Sequence, residues 1–190
     1  PSGEITVLTR QVDGSDIAYA DDLDVTADGK IYFSDASTKF GAHMGGTYAA
    51  SLLDTMEHGG HGRLLVYDPA DQSTSVLMTG LNFANGVATD ANSEYVLVNE
   101  TGSYRIHKYW LTGDRAGKSE VIIDNLPGFP DNVVRGRDGR FWVGLVSPRS
   151  KALDDLSESP LLRKVFQRFP AFMRPQAVAY SHVFAMNGNG

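Results

Sequence analysis

The chain contains no cysteine. That excludes a disulfide scaffold, Cys-ligated zinc, an iron–sulfur cluster and a thiol nucleophile. It also lacks an excess of basic charge. Seventeen Lys and Arg stand against 23 Asp and Glu, a formal net charge of −6, so the basic field of a nucleic-acid binder is missing. No apolar run approaches the roughly 20 residues needed to span a bilayer, and no signal-peptide pattern opens the sequence. A Gly-x-Ser-x-Gly elbow is absent, as are the glycine runs that cradle nucleotide phosphates.

Turn formers and a core are plentiful. Twenty Gly and 8 Pro in 190 residues imply many turns, and 42% hydrophobic residues suffice for one packed domain. The chain starts without Met and stops at Asn187-Gly188-Asn189-Gly190, a turn that calls for another strand. Residues 1–190 are therefore expected to be one partial domain lacking blades at both ends.

Strand signals recur along the chain. Glu4–Thr9 alternates as a short strand. Five hairpins follow: Asp22–Val25 with Ile31–Ser34, Arg63–Tyr67 with Thr74–Met78, Gly86–Thr89 with Tyr95–Asn99, Tyr104–Leu111 with Glu120–Ile123, and Val133–Arg135 with Phe141–Leu145. Val178–Met186 opens a sixth. Two stretches break this rhythm. Thr47–Met56 carries Tyr48, Leu52 and Met56 at helical spacing with Gly59 as a stop, and Ser159-Pro160 opens a second helix reaching Phe169. Both apolar stripes are expected to be at least half buried. The second helix has Arg163, Lys164 and Arg168 on its polar side and reads as a lid over the domain face, with a membrane-surface role as the alternative.

The hairpins repeat in register. Segments opening at Asp21, Asn85 and Asp131 each run into a short strand and reach a turn eight positions on, at Gly29, Ser93 and Gly139. The 46-residue spacing from 85 to 131 is that of a propeller blade. The 64-residue spacing from 21 to 85 is longer by about the length of the first helix with its loops. The repeat predicts an all-β propeller with short helical insertions, of which this chain supplies about four blades. An ordinary β-sandwich is the rival.

In a propeller the first strand of each blade lines the channel, so Asp21, Asn85 and Asp131 would converge on one rim. Hard oxygen ligands without cysteine suit Ca²⁺, which takes six to eight oxygens in a loose sphere. Taken singly, such residues are ordinary formers of turns before strands. His58 and His61 are spaced like metal ligands but stand among glycines, where a loop role is favoured. Asn99-Glu100-Thr101 fits a glycosylation acceptor pattern at a strand end.

The runs Asp22-Leu23-Asp24-Val25, Ile31–Phe40, His61–Asp68, Phe83-Ala84-Asn85-Gly86-Val87, Leu126–Asn132 and Phe141-Trp142-Val143-Gly144 resemble the strictosidine-synthase-like family, from about Pro1 to Arg168. The resemblance implies a six-bladed propeller. Its more distant relatives, the paraoxonases, gluconolactonases and squid-type phosphofluoridases, carry a catalytic Ca²⁺ in the channel. By that likeness Asn85 and Asp131 match metal ligands, and Asp21 stands where those relatives have Asn. Their early Glu ligand would lie before Pro1, and the glutamate of the condensing enzymes beyond Gly190. The expected activity is Ca²⁺-assisted hydrolysis of an ester or lactone in a small-molecule substrate, with Asp131 as the candidate nucleophile or base. A metal-independent condensing enzyme and a non-enzymatic binding propeller are the alternatives.

Overall fold

The computed structural model describes residues 3–157, 159–170 and 180–190. In chain order the elements are β1 (Gln11–Val12), β2 (Ser15–Asp16), β3 (Ala20–Val25), β4 (Ile31–Asp35), α1 (Thr47–Glu57), β5 (Gly62–Asp68), β6 (Ser73–Leu81), β7 (Ala84–Thr89) and β8 (Tyr95–Glu100). They continue with β9 (Arg105–Trp110), β10 (Ser119–Ile123), β11 (Gly128–Arg135), β12 (Phe141–Pro148), α2 (Lys151–Asp155), α3 (Pro160–Gln167) and β13 (His182–Met186). The strands form four antiparallel sheets. Two are complete blades in chain order, β3 to β6 and β7 to β10. A third joins β11, β12 and β13, and β1 with β2 makes a short ribbon. The chain is part of a six-bladed β-propeller.

The middle blade explains why the apolar run Val96-Leu97-Val98 does not alternate with polar residues. Val96 and Val98 pack toward the first blade with Tyr32, Leu64 and Val87. Leu97 points the other way, into a cluster with Ile106, Val133, Phe141 and Val143. A sheet covered on both faces needs apolar side chains at successive positions. Each such fully buried side chain contributes on the order of 1.5–3 kcal/mol. The outer face of the first blade is covered by Val12 and Ile17, which pack on Phe33, Leu65 and Tyr67.

The channel-side strands β3, β7 and β11 lie side by side, and their contacts are polar and close. Asp22 accepts a hydrogen bond from the Val87 amide at 2.9 Å. Asp24 accepts from both the amide and the hydroxyl of Thr89 at 2.8 Å. On the other side of β7, a Cβ placed on Gly86 would lie 2.4 Å from the Val133 nitrogen and 2.5 Å from the Asp131 carbonyl oxygen. Only glycine permits that approach of two backbones.

A second device recurs at the rim. The last residue of the second strand is a fully buried carboxylate in both complete blades, Asp35 and Glu100. Each meets the first arginine of the third strand: Arg63 Nη2 reaches Asp35 at 2.6 Å, and Arg105 Nε reaches Glu100 at 2.5 Å. Each also accepts a backbone N–H from the segment leading into the channel-side strand, from Tyr19 at 2.9 Å and from Asn82 at 3.0 Å. Lys108 is buried in the middle blade, its ammonium 4.5 Å from the Tyr95 ring centre and 4.7 Å from that of Trp110. It donates to Asn189 at 2.8 Å and so ties down the chain's last turn.

Several expectations change. Glu4–Thr9 is not a strand; Ile5, Val7 and Leu8 are exposed and pair with nothing in a sheet. Residues 178 and 179 of the expected last strand lie outside the described residues, and β13 pairs with β12 as a third strand. Both helices form with their apolar stripes about half buried, but residues outside those stripes are the most buried. In α1 the buried residues are Ala50, Asp54 and Met56, while Tyr48 is 63% exposed. The small Ala50 lets the helix settle on Tyr19, Phe40 and Phe83, and His58 in the left-handed conformation ends it, in place of the expected Gly59. In α3 it is Arg163 that is buried, and Leu161 is 74% exposed. The guanidinium donates to the carbonyls of Leu153, Leu156, Thr55 and Met56. These lie at the C-terminal ends of α2 and α1, where a cation is favoured. No helix of the described residues is long and apolar enough to cross a membrane.

Two measurements check this architecture. Gly86→Ala should lower unfolding stability by at least about 2 kcal/mol, because backbone and not a flexible side chain must move. Arg63→Met should cost about 3–5 kcal/mol, since it leaves Asp35 buried without its partner. Both are read from denaturant midpoints.

Candidate functional site at the bulged rim

The three residues aligned by the sequence repeat share a backbone device. Between Ala20 and Leu23 the strand β3 spends three steps where β4 spends two, from Asp35 to Phe33. The same count holds between Ala84 and Val87 against Glu100 to Val98, and between Pro130 and Val133 against Leu145 to Val143. Asp21-Asp22, Asn85-Gly86 and Asp131-Asn132 are therefore one-residue β-bulges at the same place in three blades. A bulge re-aims the side chains it carries, which is how successive blades direct oxygens toward one rim.

Two of the three side chains touch. Asn85 Nδ2 donates to Asp131 Oδ1 at 2.7 Å. Asn85 is 4% exposed, and its Oδ1 is buried without a hydrogen-bond partner. Asp131 is half-buried. Asp21 lies more openly on the rim, yet enough protein surrounds its carboxyl for burial to raise its pKa to about 6, with the charges of Asp131 and Asp22 adding to the shift. Its own burial raises the Tyr19 hydroxyl, the charges of Asp21 and Asp131 adding to the shift and its hydrogen bond to Thr47 opposing it.

Asn99, opposite the bulge of the middle blade, also belongs to the site. Its Nδ2 donates to the Asp131 carbonyl at 2.6 Å, and its own Oδ1 is buried and unpartnered. Beside it, Thr101 donates to the Pro130 carbonyl at 2.6 Å. The end of β8 thus fixes the backbone that presents Asp131. The sequence reading gave Asn99 only a glycosylation pattern, but a fully buried amide is no acceptor in the folded protein. A lone polar residue closing the apolar run Val96-Leu97-Val98 was the available signal.

The histidines go elsewhere. His61 pairs with Glu57 at 3.3 Å, and His58 bonds Asn82. Burial keeps His58 below its usual value, with Arg163 acting in the same direction. Burial alone would raise Glu100, but bonds from His107, Arg105, the Asn82 amide and Ser103 hold it down to about 2. Asp54, on the inner face of α1, is pushed up to about 6 by burial, the Ser37 hydroxyl pulling the other way.

The donor set suits a hard cation. The charge of Asp131 adds to the raised proton affinity of Asp21, and the amide oxygen of Asn85 lacks a donor. Each of these costs free energy that a bound cation would offset. Among the described residues, no three His, Cys, Asp or Glu side chains gather as a metal site. The set here is two acids and an amide.

These features define a β-propeller with an oxygen-lined rim on its channel. A strictosidine synthase family model matches residues 21–114. Over 92% of its length the chain is 37% identical to Protein STRICTOSIDINE SYNTHASE-LIKE 13 of Arabidopsis thaliana, covering 42% of that protein. It is also 37% identical to human adipocyte plasma membrane-associated protein, covering 83% of this chain and 38% of that one. The chain thus spans about two fifths of the length of these relatives. It belongs to the strictosidine-synthase-like family. Among solved structures, a gluconolactonase from Xanthomonas campestris superposes with a TM-score of 0.59 at 19% identity, over 76% of this chain and 47% of that one. That likeness shows the fold.

The Asp21 carboxyl should titrate near pH 6 by NMR. Because this stands above the ordinary 3.8, folding favours the protonated form, and that contribution to stability is lost as pH rises from about 4 through 6. Asp131→Asn should move the titration down while burial keeps it above 3.8.

Proposed function

We propose that the bulged rim binds Ca²⁺ and that the protein hydrolyses an ester or lactone bond of a small molecule. The supporting observation is the unpartnered Oδ1 of Asn85 next to the carboxylates of Asp131 and Asp21. Asn85 and Asp131 would supply direct oxygens, and Asp21 would bind directly or through water. Bound there, the cation supplies polarisation of the scissile carbonyl and stabilisation of the charge developing on its oxygen. The fold shared with a gluconolactonase is in keeping with this chemistry.

The chain's own residues set the geometry. Asn85 holds one oxygen of Asp131 by its amide, so the carboxylate has a fixed orientation on the rim. Thr101 and Asn99 hold the carbonyls of the two peptide units that flank the Asp131 Cα. Asp131 Oδ2 would then act as base toward a water, or as nucleophile toward the carbonyl carbon. Asp21, with its pKa near 6, would ionise fully as the cation arrives, so cation affinity should fall as pH drops below 6.

The test uses the full-length protein with phenyl acetate and with glucono-δ-lactone. Turnover should require Ca²⁺ and disappear with a chelator. Asp131→Ala should lower kcat/KM by about 10²–10⁴-fold, the loss typical of removing a general base. Activity that survives both chelation and Asp131→Ala overturns the proposal.

A further inference from the structure

A second concavity lies at the same rim, between the helices and the loops that close the second and third blades. It encloses about 240 Å³ and is lined by His58, Tyr104, Phe129, Arg149, Asp154 and Arg163 among others. We propose that this cavity binds the carboxylate and ring of an aromatic carboxylate, so that the substrate of the rim is a carboxylate-bearing aryl ester. The substrate assignment rests on the hydrolytic reading above; the binding itself does not.

Its walls have the right chemistry. Tyr104 and Phe129 form an aromatic pair with ring centres 4.7 Å apart and planes tilted by 52°, an aromatic corner against which a ligand ring can pack edge to face. Arg149 stacks over Tyr104 with its guanidinium carbon 4.3 Å from the ring centre, and its Nε reaches Asp154 at 3.1 Å. Among the described residues the hydrogen bonds of Arg163 go to carbonyls and none to a carboxylate. The ends of α1 and α2 neutralise it only in part; burial lowers its proton affinity, with Tyr104 and Asp154 acting in the opposite direction. With His58 kept below its usual value, two guanidiniums face one carboxylate. The lining is net positive in a chain of net charge −6.

Placement connects the cavity to the rim. Phe129 lies two residues before Asp131 on β11, and the loop of Gly102 and Ser103 in its wall follows directly on Thr101, which holds the Pro130 carbonyl. A ligand anchored here by its carboxylate would project its far end along β11 toward Asp131. Bidentate recognition of a carboxylate is what a guanidinium does best.

The experiment is calorimetric titration of benzoate into the intact protein with a chelator present, so that no metal can hold the carboxylate. One molecule should bind, and benzamide, the neutral isostere, should bind at least tenfold more weakly. Arg149→Gln should weaken benzoate at least tenfold. Ser157→Phe, at the cavity mouth, should block it without touching a charge, and so covers the case in which the arginine variant fails to fold. Absence of benzoate binding, equal affinity for benzamide, or an unaffected Ser157→Phe variant overturns the inference. Benzoate binding in a protein that hydrolyses no ester leaves the site standing and removes the hydrolase. Hydrolysis of phenyl acetate and 4-acetoxybenzoate with equal kcat/KM and no benzoate binding does the reverse.

Discussion

A buried carboxylate at the end of the second strand holds each complete blade to its rim. Asp35 and Glu100 each join three things: the start of the third strand through an arginine, the approach to the channel-side strand through a backbone amide, and their own strand. Two carboxylates at 0% exposure would be a liability if unpaired. Saturated with donors, they fix where the channel-side strand begins. The bulge follows one residue after that strand's first ladder pair, so its position depends on them. Move the entry by one residue, and the re-aimed side chain turns away from the rim.

Between blades the adhesion is of two kinds. Toward the periphery it is apolar and forgiving in detail, with Val96 and Val98 on one face of the middle blade and Leu97 on the other. At the axis it is polar and exact in spacing. Asp22 and Asp24 reach across to β7, and Gly86 lets β11 come within backbone contact. The axis is therefore where the chain tolerates least change, and it is also where oxygen atoms are left without donors. Rigidity there holds Asn85 against Asp131.

Much of this was legible in the sequence. The propeller could be read because Asp21, Asn85 and Asp131 recur at one offset from their turns, and a repeated offset survives wide divergence in the strands themselves. The bulge behind that offset could not be read, since it follows the first ladder pair of β3 and β7 and leaves too little strand before it to show the shift in alternation. Asp35 with Arg63 is 28 residues apart, across an inserted helix, and Glu100 with Arg105 is only five; nothing local distinguishes either from a surface pair. The helix faces misled for a different reason. Periodicity ranks side chains by hydrophobicity, whereas α3 is seated by the donors of Arg163 and α1 by the small size of Ala50. Asn99 was hidden because its only motif is an incidental glycosylation pattern, and nothing in the sequence pairs it with Asp131, 32 residues on.

Lys108 gives the molecule a built-in optical gauge. Its ammonium sits between Tyr95 and Trp110, and Arg115 covers the Trp110 ring with its guanidinium carbon 3.8 Å from the ring centre. An indole flanked by two cations emits at a wavelength set by their field. One of those cations is held in place by Asn189, at the far end of the chain. With the second indole removed by Trp142→Phe, Trp110 fluorescence therefore reports whether the last turn is seated on the middle blade.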